Sequence, residues 1–178
     1  VTPTPRRWLP DDPLPPYAFV PGRRPHPTRH PDGHRCVHPA PSGPIDVTEW
    51  RSIPAYVRGI DLFNHGFYWE AHEAWEGLWH ALGRRGPAAD LLVALIRLAA
   101  AGIKLREPVP HAVRSHAAKA VVLLAGVEAA IAPEQALMGV RPGGLRQLAE
   151  AVRDGRAGRS VAPDADVEVV FPFVVWPG

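Results

Sequence analysis

Cysteine and lysine are nearly absent from this sequence. Cys36 is the single cysteine, so no disulfide framework can staple the chain to itself. That composition fits a reducing, cytoplasmic setting. Lys104 and Lys119 are the only lysines, and arginine carries the rest of the positive charge. A formal net charge of +2, with arginines scattered rather than striped between aromatics, excludes a nucleic-acid-binding surface. Uninterrupted apolar runs are also missing. The stretch from Ala88 to Ile103 carries Asp90 and Arg97, and that from Ala112 to Ala132 carries Arg114, His116, Lys119 and Glu128. Neither reads as a membrane span; both read as buried helices of a soluble bundle. No short apolar run follows a charged start, so no secretory signal is expected. Glycine has no three-residue period, which excludes collagen. No glycine-rich phosphate loop follows a strand, and Ser42, Ser52, Ser115 and Ser160 lie in no nucleophile elbow.

Proline is abundant but unevenly placed. Fourteen of the 22 prolines fall in the first 54 residues, and proline both fixes φ and removes a backbone donor. Residues 1–47 are therefore expected to be extended or turn-like. They nevertheless hold Trp8, Leu9, Tyr17, Phe19 and Val20, more large apolar groups than a disordered tail carries. This segment reads as an ordered arm packed on the body. From Thr48 a helical period begins. Tyr56, Val57, Ile60, Phe63 and Asn64 share one helical face, ended by Gly66. A second helix is expected from Tyr68 to Leu82. A third begins at Pro87 and reaches about Leu105, before Pro108. A fourth runs from Pro110 to before Pro133, and a fifth from about Leu145 to Arg153. The last segment, 161–178, is β-branched and aromatic and reads as extended; Pro172 makes it an edge strand or a docked tail. The expected fold is all-α: a single-domain antiparallel bundle of about five helices over 48–160, with the arm and the tail at its ends.

The second helix concentrates the chemistry. Its sequence from Tyr68 to His80, YWEAHEAWEGLWH, places His72 and Glu76 one turn apart with Glu73 beside them. Burial among Trp69, Trp75 and Trp79 is expected, and a buried charge needs a partner or a metal. One reading is structural: Arg97 or Lys104 on the third helix pairs with the carboxylates. The other is a metal site. His72 and Glu76 would hold one divalent ion, zinc, manganese or iron, with Glu73 as general base, a partial match to the HExxH zinc helix. Such a site needs more ligands, and the candidates are His26, His34, His65 and His116. In the arm, His26, His30, His34 and His38 recur every four residues around Cys36. The interleaved prolines forbid a helix there, so only a loop folded onto the body could bring His26 and His34 to His72.

The segments LFNHGFYWEAHEAWEGLWHALGRRG and LLVALIRLAAAGIKLRE resemble the DUF309 family of small helical bacterial and archaeal proteins. The resemblance spans about residues 56–130. It rests on Phe63, Asn64, Gly66, Glu70 to Glu73, Trp75, Glu76, Trp79 and the run around Leu95 to Ala100. The PPYAFVPG, PHP and PDGH stretches of the arm resemble those of one branch of the family, with His30 where an acidic residue is usual. The resemblance implies a compact all-α fold and supplies no activity.

Three functional expectations follow. The chain is a metal-dependent enzyme of hydrolase type centred on His72, Glu73 and Glu76. Alternatively it is a non-catalytic helical protein that binds a partner or forms a homo-oligomer, with the same residues locked to Arg97 or Lys104. In a metal-free variant of the site, a small-molecule ligand sits between Trp69, Trp75 and Trp79. No membrane partner is expected.

Overall fold

The computed structural model describes residues 5–36, 39, 41–107, 109–162 and 164–178; His38 and Pro108 lie outside the described residues. A 3₁₀ helix, Val47–Ser52, leads into five α-helices: α1 Pro54–Asn64, α2 Tyr68–Ala81, α3 Pro87–Arg106, α4 Pro110–Ala130 and α5 Pro142–Arg153. Each helix packs on the next in an all-α bundle, with no strand among the described residues. No described helix is long and apolar enough to cross a membrane.

All five α-helices start with proline in the first turn except α2, where the missing N–H would have had no intrahelical partner. That rule also explains the start of α5. The helix begins at Pro142, three residues earlier than the start expected near Leu145, and Gly143 and Gly144 lie inside its first turn.

The orientation of α2 is set by two close approaches. An added Cβ at Gly59 on α1 would lie 2.2 Å from Trp75 Nε1, and one at Gly102 on α3 would lie 2.7 Å from the Tyr68 ring. The missing side chains let both rings sink to full burial, and Trp75 donates its indole N–H to the Tyr56 carbonyl at 3.2 Å. With Ala71, Ala74 and Leu78 they form the buried face of α2. This overturns the expectation that His72, Glu73 and Glu76 are buried among Trp69, Trp75 and Trp79. His72, Glu73 and Glu76 are rotated outward and are half-exposed. Small alanines allow the neighbouring helices to come close, so that side packs inward.

The arm is held by charges inside the body. Asp61 is fully buried and accepts the Trp8 and Leu9 N–H groups, each at 2.8 Å. Arg58, 1% exposed, donates to the carbonyls of Asp12 and Pro13 at 3.0 and 2.6 Å. Burial pulls this guanidinium below its usual range, and Asp12 pushes the other way. Further along, the Phe19 N–H donates to Glu70 at 2.9 Å, and Ala18, Phe19 and Val20 are buried.

The tail is docked, not paired as a strand. Asn64 clamps Val175 through two hydrogen bonds of 2.8 Å, and the Val170 N–H donates to the Tyr68 hydroxyl at 2.9 Å. Trp8 stacks on Trp176 at 5.0 Å and meets Trp50 edge-on at 5.2 Å. Arm, tail and 3₁₀ helix thus share one aromatic cluster.

Asp61→Ala leaves two N–H groups of the arm without acceptors and takes from Arg7 the carboxylate 3.9 Å from its Nε. We expect a loss of about 3 kcal/mol in urea unfolding, together with faster proteolysis of the arm than of the helices.

Candidate functional site

Helix α2 presents one cluster able to hold a metal. Among the described residues, His72, Glu73 and Glu76 form the one group of three whose donor atoms all lie within 4.8 Å of one another. His72 Nδ1 is 3.5 Å from Glu73 Oε1 and 3.9 Å from Glu76 Oε2. Two donors to one ion, each about 2.0–2.2 Å from it, are separated by comparable distances. The Nδ1 atom is itself buried and makes no hydrogen bond. The three side chains are 27%, 34% and 42% exposed, so the nitrogen is covered while the carboxylates reach solvent.

The remaining histidines are placed elsewhere. The His34 side chain is fully buried, with Nε2 3.0 Å from Glu70 Oε1. Its Nδ1 accepts the Cys36 N–H at 3.0 Å, so Nε2 carries the proton and donates to the carboxylate. No lone pair is left for a metal. At 3.6 residues per turn Glu70 and His72 point to nearly opposite sides of α2, so His34 is docked on the far flank. His26 comes closer. Its ring meets Trp69 at 5.3 Å and Phe19 at 5.1 Å, one turn before Glu73, while its Nδ1 accepts the Thr28 and Arg29 N–H groups. His65 Nδ1 donates to the Asp61 carbonyl at 2.7 Å beside the tail. None of the three joins the cluster.

His116 on α4 is half-buried, and its Nδ1 makes no hydrogen bond. Burial holds this ring below the usual histidine range, helped by the positive charges of Arg97, Lys119 and Lys104 and by His72. Arg97 makes no hydrogen bond or ion pair among the described residues, and Lys104 pairs with Glu107, the residue that follows α3. The expected lock between these cations and Glu73 or Glu76 is not formed. Nor do the tryptophans form a ligand slot. Trp75 is buried in the core, Trp69 is covered by the arm, and Trp79 packs with His80 and under Arg84.

Glu70 is the polar residue whose role was least visible in the sequence. It is 3% exposed and joins α2 to the arm through Phe19 and His34. Arg106, equally buried, donates to the Ala165 and Asp166 carbonyls at 2.7 and 3.0 Å. Its guanidinium is pulled below its usual range mainly by burial, while Tyr68, Glu168 and Glu70 favour its charge. The available signal was that Arg58, Asp61 and Arg106 interrupt apolar helix faces.

Fold and cluster together define a small all-α bundle with one His/Glu/Glu face. Residues 56–115 match the model of a family described as Domain of unknown function (DUF309), which supports the resemblance seen in the sequence. No curated protein and no solved structure matches the chain.

The ordinary histidine pKa is 6.5, and that of folded His116 lies below it. Between the two values the unfolded state binds more protons, so stability falls as pH drops through that interval. We expect the urea midpoint of His116→Gln to vary less than the wild type's between about pH 7 and pH 5.

Proposed function

We propose that the protein binds one divalent transition-metal ion on the outer face of α2 and uses it for hydrolysis. His72 and Glu76 are the ligands, one helical turn apart. Glu73 is the base that takes a proton from a water on the ion. The observation that carries this reading is the covered, unpartnered Nδ1 of His72, with carboxylate oxygens 3.5 and 3.9 Å away. A covered imidazole nitrogen without a partner is unfavourable, and an ion between it and the carboxylates would resolve the defect. One nitrogen with one or two oxygens suits zinc, manganese or iron(II). Ligands from a single helix occupy one side of an ion and leave the other side to water and substrate, the pattern of catalytic rather than structural centres. An ion there lowers the pKa of its bound water.

Elemental analysis of the purified protein, with titration of zinc and manganese into chelator-treated samples, tests the site. One ion per chain is expected, lost in His72→Ala and in Glu76→Gln. Glu73→Gln keeps the ion but abolishes turnover of whichever activated ester or phosphoester the wild type cleaves. Absence of stoichiometric metal in the folded wild type overturns the reading.

A second reading, self-association without catalysis, draws support from the α3/α4 surface. Val122 is 73% exposed beside an open groove of about 530 Å³ lined by Val93 and Leu123. It predicts a dimer in sedimentation equilibrium that Val122→Glu dissociates.

A further inference from the structure

We propose a second binding site, for a small amphipathic organic anion, in the crevice between the tail and the segment that follows α5. The crevice has a volume of about 750 Å³, within the roughly 300–1,000 Å³ of small-molecule sites. One wall is the tail, with Val169, Phe171, Phe173 and Val174; the rim carries His65, Arg156 and Arg159. No aspartate or glutamate lines it.

Charge selects the ligand's head. Arg156 reaches Asp154 at 3.1 Å and Arg159 reaches Glu168 at 2.5 Å, but both partners lie outside the lining. Both arginines are more than half exposed, and such solvent-screened pairs are weak. Each guanidinium has five N–H donors and keeps some free for a carboxylate or sulfonate.

Exposed apolar surface selects the ligand's body. Of the five large hydrophobic residues exposed on the described surface, four lie between Val167 and Trp176, and Val169 and Val174 belong to the crevice wall. Phe171 and Phe173 stack at 5.0 Å, and Phe171 stacks in turn on Phe63 at 5.5 Å. An aromatic or aliphatic body laid on this wall covers apolar area that is otherwise wet.

The wall is also fixed in advance. Asn64 holds Val175 by both backbone groups, Tyr68 holds the Val170 N–H, and the Val170 carbonyl accepts the Arg159 N–H at 2.9 Å. A preformed wall binds without first being ordered. The site does not use the α2 cluster, so it stands or falls apart from the metal.

Fluorescence titration with 8-anilinonaphthalene-1-sulfonate, followed by displacement with laurate below its micellar concentration, tests the proposal on the full chain. We expect saturable binding of one dye per chain, reversed by laurate and weakened by salt. Arg156→Ala and Val174→Asp, both at exposed positions, should each raise Kd about tenfold with unchanged circular dichroism and melting temperature. Unsaturable fluorescence, no displacement by laurate, or wild-type affinity in both variants overturns the proposal. So does a dimer that Val174→Asp dissociates, because a second copy would then be the occupant. Binding to anionic phospholipid vesicles without binding of monomeric laurate overturns it too, in favour of a membrane surface.

Discussion

Arg58, Asp61, Glu70 and Arg106 are each no more than 3% exposed, and all four find partners in segments outside the helices. Burying an ionised group is strongly unfavourable unless hydrogen bonds replace its water. Here the replacements come mostly from backbone N–H and carbonyl groups of the arm and tail. A proline-rich segment suits that task. It forms few hydrogen bonds with itself, so its remaining N–H and carbonyl groups are free to meet side chains of the body. The bundle therefore depends on two non-helical segments to make its own interior charges tolerable. Those segments depend on the charges for their order.

The same arrangement separates the polar residues of α2 into two roles. Glu70 points toward the arm and is consumed by Phe19 and His34. His72, Glu73 and Glu76 point away and are left with one another. The division follows from rotation about one helix, fixed by the Tyr68 and Trp75 rings sinking against Gly102 and Gly59. A histidine satisfied by a carboxylate on one flank is not available on the other, so the arm braces α2 through Glu70 without adding His34 to the His72, Glu73 and Glu76 cluster. His26 on Trp69 is as near as the arm comes. The tail makes a parallel use of polar clamps. Asn64 and Tyr68 fix its backbone, leaving valines and phenylalanines to form a wall beside His65 and two arginines.

Much of the fold was legible because helix punctuation is local. Proline in a first turn and glycine after a last turn act through φ and through missing donors within a few residues, so α2 and α3 could be placed to within about a residue, whereas the helical period read from Thr48 is a 3₁₀ helix before α1 starts at Pro54. The start of α5, expected near Leu145, lies at Pro142 because helix-poor Gly143 and Gly144 obscure a first turn that Pro142 sets. His72, Glu73 and Glu76 could be grouped because residues three and four apart share a helical face. Their exposure could not be read, since aromatic neighbours in sequence do not say which side of the helix the core takes.

Periodicity, proline placement and the i,i+4 spacing by themselves determined an all-α body, most of its helix limits and one cluster of metal-ligating type, because each acts over a turn or less of chain. Tertiary structure alone decided where α2 turns its faces, that His34 answers Glu70 and not His72, and that the tail walls a second crevice. Those outcomes join residues 36 to 111 positions apart. They turn on which buried charge lacks a donor and which glycine admits a ring, and no local pattern encodes either.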